Sequence, residues 1–308
     1  MKTRDYIWGL ASSGPALPRS VTNRREPSSN VLMKSQTSVN PRPVSQRVLL
    51  CGAILAYACS AVCGAPAAKA GGSTGVDTNL SQLRQPVLVE LFTSEGCSSC
   101  PPADALLARL DATQFVAGAQ AIVLSEHVTY WNYLGWSDPF SLEEMSQRQT
   151  RYGSRFGLDS VYTPQAVVDG TAQVLASDAT AMSHAIAGAA KKPKPELRIE
   201  GAHWNGSTIG FAVKAPESVH GVLTVALAED ATHSIVGRGE NAGRTLHHVA
   251  VVRVMKTLGR DKADEQPLVL EVGSGSSVTG HTFRLVAFIT DEQEGRVLAV
   301  AEIPITRP

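Results

Sequence analysis

The stretch Val87 to Leu107, VLVELFTSEGCSSCPPADALL, decides how this chain is read. Its opening run, Val87 to Phe92, is short and apolar, the pattern of a strand buried on both faces. From Pro101 to Leu110 the apolar residues change to helical spacing, with Ala103, Leu106, Leu107 and Leu110 on one stripe. Proline is tolerated only in the first turn of such a helix, where no intrahelical N–H is missed, so Pro101 marks its start. Cys97 and Cys100 therefore stand at the helix end that presents free N–H groups and partial positive charge, which stabilise a thiolate. A CxxC between strand and helix suits reversible dithiol and disulfide chemistry, with Cys97 as the exposed attacker and Cys100, one turn deeper, as the resolver. The bland alternative is an inert structural disulfide.

Upstream, residues 1–32 read as a disordered leader or a misassigned start, with Met33 as the first residue. Residues 33–70 read as a secretory signal: Lys34, Arg42 and Arg47 precede the apolar run Val48 to Val62, and Ala68-Lys69-Ala70 follows. That run has 15 residues, short of the roughly 20 that a spanning helix needs, so no stable membrane insertion is expected after cleavage. Cys51, Cys59 and Cys63 fall within the expected signal, 33–70, which leaves Cys97 and Cys100 as the thiols of an exported, periplasmic or secreted chain. In such a compartment disulfides persist, and one closing so small a loop restrains the unfolded chain little, so a redox role is favoured. Residues 71–308 hold 19 basic and 26 acidic side chains, which argues against nucleic acid bound through a basic face.

Downstream, residues 71–85 read as a tether and 86–190 as an α/β domain. After the CxxC helix come a strand at Ala121 to Ser125, a helix from Phe140 to Phe156 signalled by Asp138-Pro139, and a Gln165 to Val168 strand. The hairpin signal Asp169-Gly170, a strand to Leu175 and a helix from Ala179 to Ala190 complete it. Residues 191–195, KKPKP, form a stiff charged linker. Across 196–308, seven β-prone runs separated by Gly, Asn, Asp or Pro suggest a small sandwich. The fold class expected is thus a βαβ-α-ββα domain followed by a small all-β, sandwich-like domain.

Four further residues are site candidates. Thr163-Pro164 precedes a strand, and a cis proline facing a dithiol would leave the preceding backbone free to pair with an extended peptide; an ordinary trans turn is the alternative. His127 and Trp131, within the aromatic cluster Tyr130, Trp131, Tyr133 and Trp136, could line a substrate groove or simply pack on the surface. His127 with Cys97 and Cys100 would also suit Cu(I) or Zn, the basis of a rival reading as a metal-binding or interaction protein. His247 and His248 point to opposite faces of a strand and cannot jointly chelate one metal. The expected function is thiol-disulfide exchange on protein or small-molecule thiols, with no organic cofactor.

The motifs ELFTSEGCSSCPPAD, HVTYWNYLGWSDPF, VYTPQAVVDG and GENAGRTLHHVAVVR resemble a secreted, thioredoxin-like bacterial family of unknown function, domain-of-unknown-function family 1223. The resemblance runs from about Pro86 to the C-terminus. It implies a thioredoxin-like first domain, a dithiol at Cys97 and Cys100, and a cis bond before Pro164, and it implies no substrate. The family pattern has an aspartate where this chain has Thr129, which weakens any role for a carboxylate at that position.

Overall fold

Strand β1 (Gln85–Thr93) is the centre of the fold because its apolar residues project to both faces: Val87, Leu88, Val89, Leu91 and Phe92 are all buried. The structure, a computed structural model, describes residues 84–259, 267–272, 282–293 and 295–308. The expected leader and signal lie outside the described residues, as does all but the end of the tether. Helix α1 (Pro101–Thr113) follows β1, and β2 (Ala119–His127) returns parallel to it, with Val89 opposite Val123. The stripe read from the sequence, Ala103, Leu106, Leu107 and Leu110, is the face that α1 buries.

Helix α2 (Glu143–Phe156), strands β3 (Gln165–Val168) and β4 (Ala172–Leu175), and helix α3 (Ala179–Ala190) come next, as expected. Strand β3 pairs antiparallel with β1, and β4 pairs antiparallel with β3. Helix α2 starts later than the expected Phe140. Asp138 does not cap it, because its carboxylate accepts from Phe140 N, Glu95 N and His127 instead. At α3, by contrast, Asp178 caps the helix, accepting from Thr180 N and Ala181 N.

All seven β-prone runs beyond residue 195 are strands: β5 (Arg198–Asn205), β6 (Thr208–Lys214), β7 (Val222–Ile235), β8 (Thr245–Gly259), β9 (Leu268–Glu271), β10 (Thr282–Thr290) and β11 (Val297–Thr306). Four of them, β7, β8, β10 and β11, join the sheet begun by β1. The main sheet runs β11-β10-β7-β8-β2-β1-β3-β4, joined where β8 meets β2 in parallel at Val251 and Ser125. Strands β5, β6 and β9 make a second sheet that packs Ile209, Phe211 and Val213 against Leu223, Val225, Phe283 and Leu285. Each such large apolar side chain contributes about 2–3 kcal/mol on burial. The chain is therefore a mixed α/β protein in which the β-rich part extends the first sheet and then folds a second layer over it.

Two charged contacts fasten this arrangement. Arg284 of β10 makes a two-pronged bond to Asp111 of α1, at 2.7 and 3.0 Å, and also binds Asp230 of β7. The expected linker is packed rather than free. The Lys194 side chain, 5% exposed, pairs with Asp169 and donates to Pro86 O.

A buried charge also sits within β1: Glu90 pairs with Arg148 and accepts from Tyr152. Burial and the neighbouring Glu90 hold the Glu126 carboxyl well above the usual carboxylate range, so Arg148 answers chiefly to Glu90.

The Asp169-Gly170 turn permits almost no substitution at Gly170. Its φ is +68°, and a Cβ there would lie 2.1 Å from Gly295 O. Gly170→Ala is expected to destabilise the fold by about 3 kcal/mol, from positive-φ strain and a backbone clash. Urea denaturation measures this; a loss under about 1 kcal/mol would mean that the turn moves freely away from Gly295.

Candidate functional site around Cys97 and Cys100

The turn leaving β1 is built by its backbone. Cys97 N donates to Ser94 O at 3.1 Å, and Cys100 N to Cys97 O at 3.2 Å. Cys100 is the residue just before α1, its carbonyl accepting from Ala103 N and Asp104 N, and Pro101 opens the helix. The two sulfurs are joined as a disulfide at the helix N-terminus, with Cα atoms 5.4 Å apart.

Pairing of Phe92 with Gln165 brings the Thr163–Pro164 peptide, which is cis, to the end of β1 from which the dithiol turn departs. Trp131 spans the gap. Its Nε1 donates to Thr163 Oγ1 at 2.7 Å, while a methyl group at Gly96 would lie 3.1 Å from its Cβ. Cys97, Cys100, Trp131, Thr163 and Pro164 are thus brought to one edge of the sheet. Thr163 is half-buried, and its own N–H and C=O have no hydrogen-bond partner among the described residues.

Two expectations need correction. Cys97 is not an exposed attacker: both cysteines are 0% exposed. The loop between β7 and β8, residues 236–244, lies against the turn. Asn241 Nδ2 donates to Glu95 O at 2.8 Å and to Cys97 O at 3.0 Å, and Ser98 N donates to Glu240 Oε2. Arg244 donates to Asn241 Oδ1 and so fixes the amide, and Gly239, at φ +78°, packs the loop against Leu134 and Trp136. His127 is not a substrate contact either. It is 1% exposed, with Nδ1 bonded to Asp138 at 2.7 Å, because β2 carries it into the interior.

Behind the turn lies a buried array of acids and imidazoles. Glu95, two residues before Cys97, is fully buried; it accepts from Trp136 Nε1, Ser234 Oγ and His248 Nε2. Asp104, beneath Cys100 on the first turn of α1, accepts from Thr93 Oγ1 and lies 3.8 Å from His248 Nδ1, at charge-pairing range. Burial alone would depress the His248 imidazolium, but the Asp104 and Glu95 carboxylates outweigh it and push its pKa up to about 10. Asp138 is likewise buried, yet His127 and the N–H groups of Glu95 and Phe140 hold its carboxyl below the ordinary value. The His127 and His248 rings meet edge to face, 4.6 Å apart.

The remaining aromatic residues divide. Tyr130 is tied to Gln149 and Trp136 to Glu95, while Tyr133 is 81% exposed. Thr129 bonds Glu143 and Ser146 at the start of α2. Among the described residues, no three His, Cys, Asp or Glu side chains are grouped to hold a metal. The Cys97 and Cys100 sulfurs are bonded to each other, and His127 Nδ1 is engaged by Asp138.

Ser234 and Asp104 were not singled out from the sequence; Asp138 was read only as a helix start signal, and Glu240 and Asn241 only as part of the motif GENAGRTLHHVAVVR. A signal did exist for the loop, since GENAGR is short, polar and glycine-rich beside a strand; nothing local says which distant turn it covers. Asn241→Ala removes two hydrogen bonds to the dithiol turn, each contributing about 1 kcal/mol net, so the disulfide should be reduced by a phosphine about thirtyfold faster. An unchanged rate would show that the loop does not limit access.

A family described as a protein of unknown function (DUF1223) matches residues 88–290. No curated protein matches the chain. Among solved structures, one from Agrobacterium tumefaciens is 22% identical, with a TM-score of 0.55 over 71% of this chain and 94% of that one, and shares the fold. A DUF3823 family protein from Bacteroides ovatus, 13% identical, aligns over 37% of this chain and 56% of its own with a TM-score of 0.24. A β-glucuronidase from Ruminococcus gnavus, 12% identical, aligns over 36% and 15% with a TM-score of 0.19. Neither of the last two supports an inference.

Proposed function

Since the chain belongs to the family of proteins of unknown function DUF1223, which its match over residues 88–290 establishes, we propose that it works as an exported thioredoxin-like protein exchanging disulfides through Cys97 and Cys100. The observation that carries this reading is the juxtaposition at one sheet edge: a CxxC disulfide at a helix N-terminus beside a cis proline. The strand order β2-β1-β3-β4, with β1 and β2 parallel and the other pairs antiparallel, supports the thioredoxin-like comparison. Export rests on the basic, apolar and small segments of residues 33–70. No helix among the described residues is long and apolar enough to cross a membrane.

The step is an exchange of one disulfide for another. A partner thiolate attacks Cys97 Sγ, a mixed disulfide forms, the Cys97–Cys100 bond breaks, and Cys100 departs as a thiolate beside the helix N-terminus. A second partner thiolate then attacks the mixed disulfide, releasing oxidised partner and leaving both cysteines reduced; the reverse sequence reduces a partner disulfide. Thr163, through its unpaired N–H and C=O, supplies an edge on which an extended partner chain can pair. Both cysteines are buried and the Asn241 loop is bonded to the backbone of their turn, so lifting that loop is the opening step of this reading.

The test mixes the oxidised protein with an unfolded reporter protein bearing two free thiols and follows the reporter by thiol alkylation and mass. Transfer of the disulfide to the reporter, faster in Asn241→Ala, is expected. No transfer by either form would leave Cys97–Cys100 as a structural staple.

A further inference from the structure

Strands β7 and β8 form a long hairpin whose inner face holds the buried site, through Ser234 and His248 on Glu95. Alternation along each strand turns the intervening residues outward. His233 and His247 are directly opposite each other in the register, both exposed, with ring centroids 5.8 Å apart and planes inclined by 29°.

We propose that His233 and His247 form a two-histidine site for a borderline divalent transition metal, Zn(II), Ni(II) or Cu(II), on the outer face of this hairpin. Imidazole suits these cations, whereas Mg(II) and Ca(II) prefer oxygen ligands. Directly opposed residues on paired strands have Cβ atoms about 4.5–5.5 Å apart, a separation that two imidazoles can close onto one ion. A metal about 2.0–2.1 Å from one nitrogen of each ring, at a tetrahedral angle, sets the ring centroids about 5 Å apart. The observed 5.8 Å is therefore close to a chelate, and rotation of two exposed side chains completes it without movement of the backbone. Water fills the remaining coordination positions.

The site is separate from any grouping of His127 with the cysteines. His127 and His248 lie on the buried face, and His247 acts here with its cross-strand neighbour rather than with His248. Its consequence is mechanical: a metal bridging β7 to β8 ties the two strands together near the base of the loop that carries Asn241 over Cys97.

Calorimetric titration of the full oxidised protein with Ni(II) tests the proposal. One equivalent is expected to bind, with at least a tenfold loss of affinity in His233→Ala and again in His247→Ala, since a single imidazole is no chelate. Both positions are exposed, so the variants should keep the wild-type circular dichroism, and His203→Ala should bind as wild type. Paramagnetic broadening by bound Ni(II) should centre on residues 231–235 and 245–249. Wild-type protein that takes up no Ni(II) at millimolar concentration overturns the proposal. So does full affinity retained by His233→Ala and His247→Ala.

Discussion

Cys97→Ser is expected to abolish disulfide exchange with thiol partners, a loss of at least about a thousandfold, because the attacked and attacking sulfur is gone. Cys100→Ser should behave differently. It keeps Cys97 at the turn before α1 but removes the group that resolves the mixed disulfide, so partners accumulate covalently on Cys97. Expressing Cys100→Ser with its upstream segment and resolving the adducts on non-reducing gels separates the two outcomes, and mass spectrometry identifies the partners. Equal behaviour of the two variants, with no adduct on either, would remove the distinction between attacker and resolver.

Glu95→Ala should be the most destabilising change near the site, at about 3–5 kcal/mol by urea denaturation. It leaves His248 as a buried cation with one carboxylate fewer and orphans the Trp136 and Ser234 donors. The His248 pair also sets a pH dependence. Its pKa stands at about 10 in the folded chain, against about 6.5 for an unperturbed histidine, so the native state binds the extra proton. The stabilisation is complete below about pH 6.5 and disappears as pH rises through about 10, a contribution on the order of 4–5 kcal/mol. Unfolding free energy should therefore fall across that window in the wild type, with a flatter slope in His248→Gln. A wild-type slope equal to that of His248→Gln would show that this imidazole is not held charged.

The elements were legible in the sequence because local pattern decides them. The apolar run at Val87 to Phe92, the stripe Ala103, Leu106, Leu107 and Leu110, and the Asp169-Gly170 turn each carry their own signal, and each forms as read. What failed was assembly. No local feature announces that β8 will pair with β2 through Val251 and Ser125, so residues 196–308 read as a separate sandwich although their main strands continue the first sheet. The same non-local pairing carries the loop at 236–244 to the backbone of Cys97, in a turn whose cysteines are buried although their own helix end suggested exposure. Asp138 misled for a related reason: a carboxylate ahead of a helix is read as a cap, whereas contact with His127 claimed it.

The reduction potential of Cys97–Cys100, measured by equilibrating the full protein against defined thiol-disulfide buffers and alkylating the free thiols, bears most directly on whether this pair is a working dithiol. A value above about −300 mV, with exchange accelerated by Asn241→Ala, is the expected result. A value below about −300 mV, with no exchange even in that variant, would contradict a redox role and leave a buried structural disulfide.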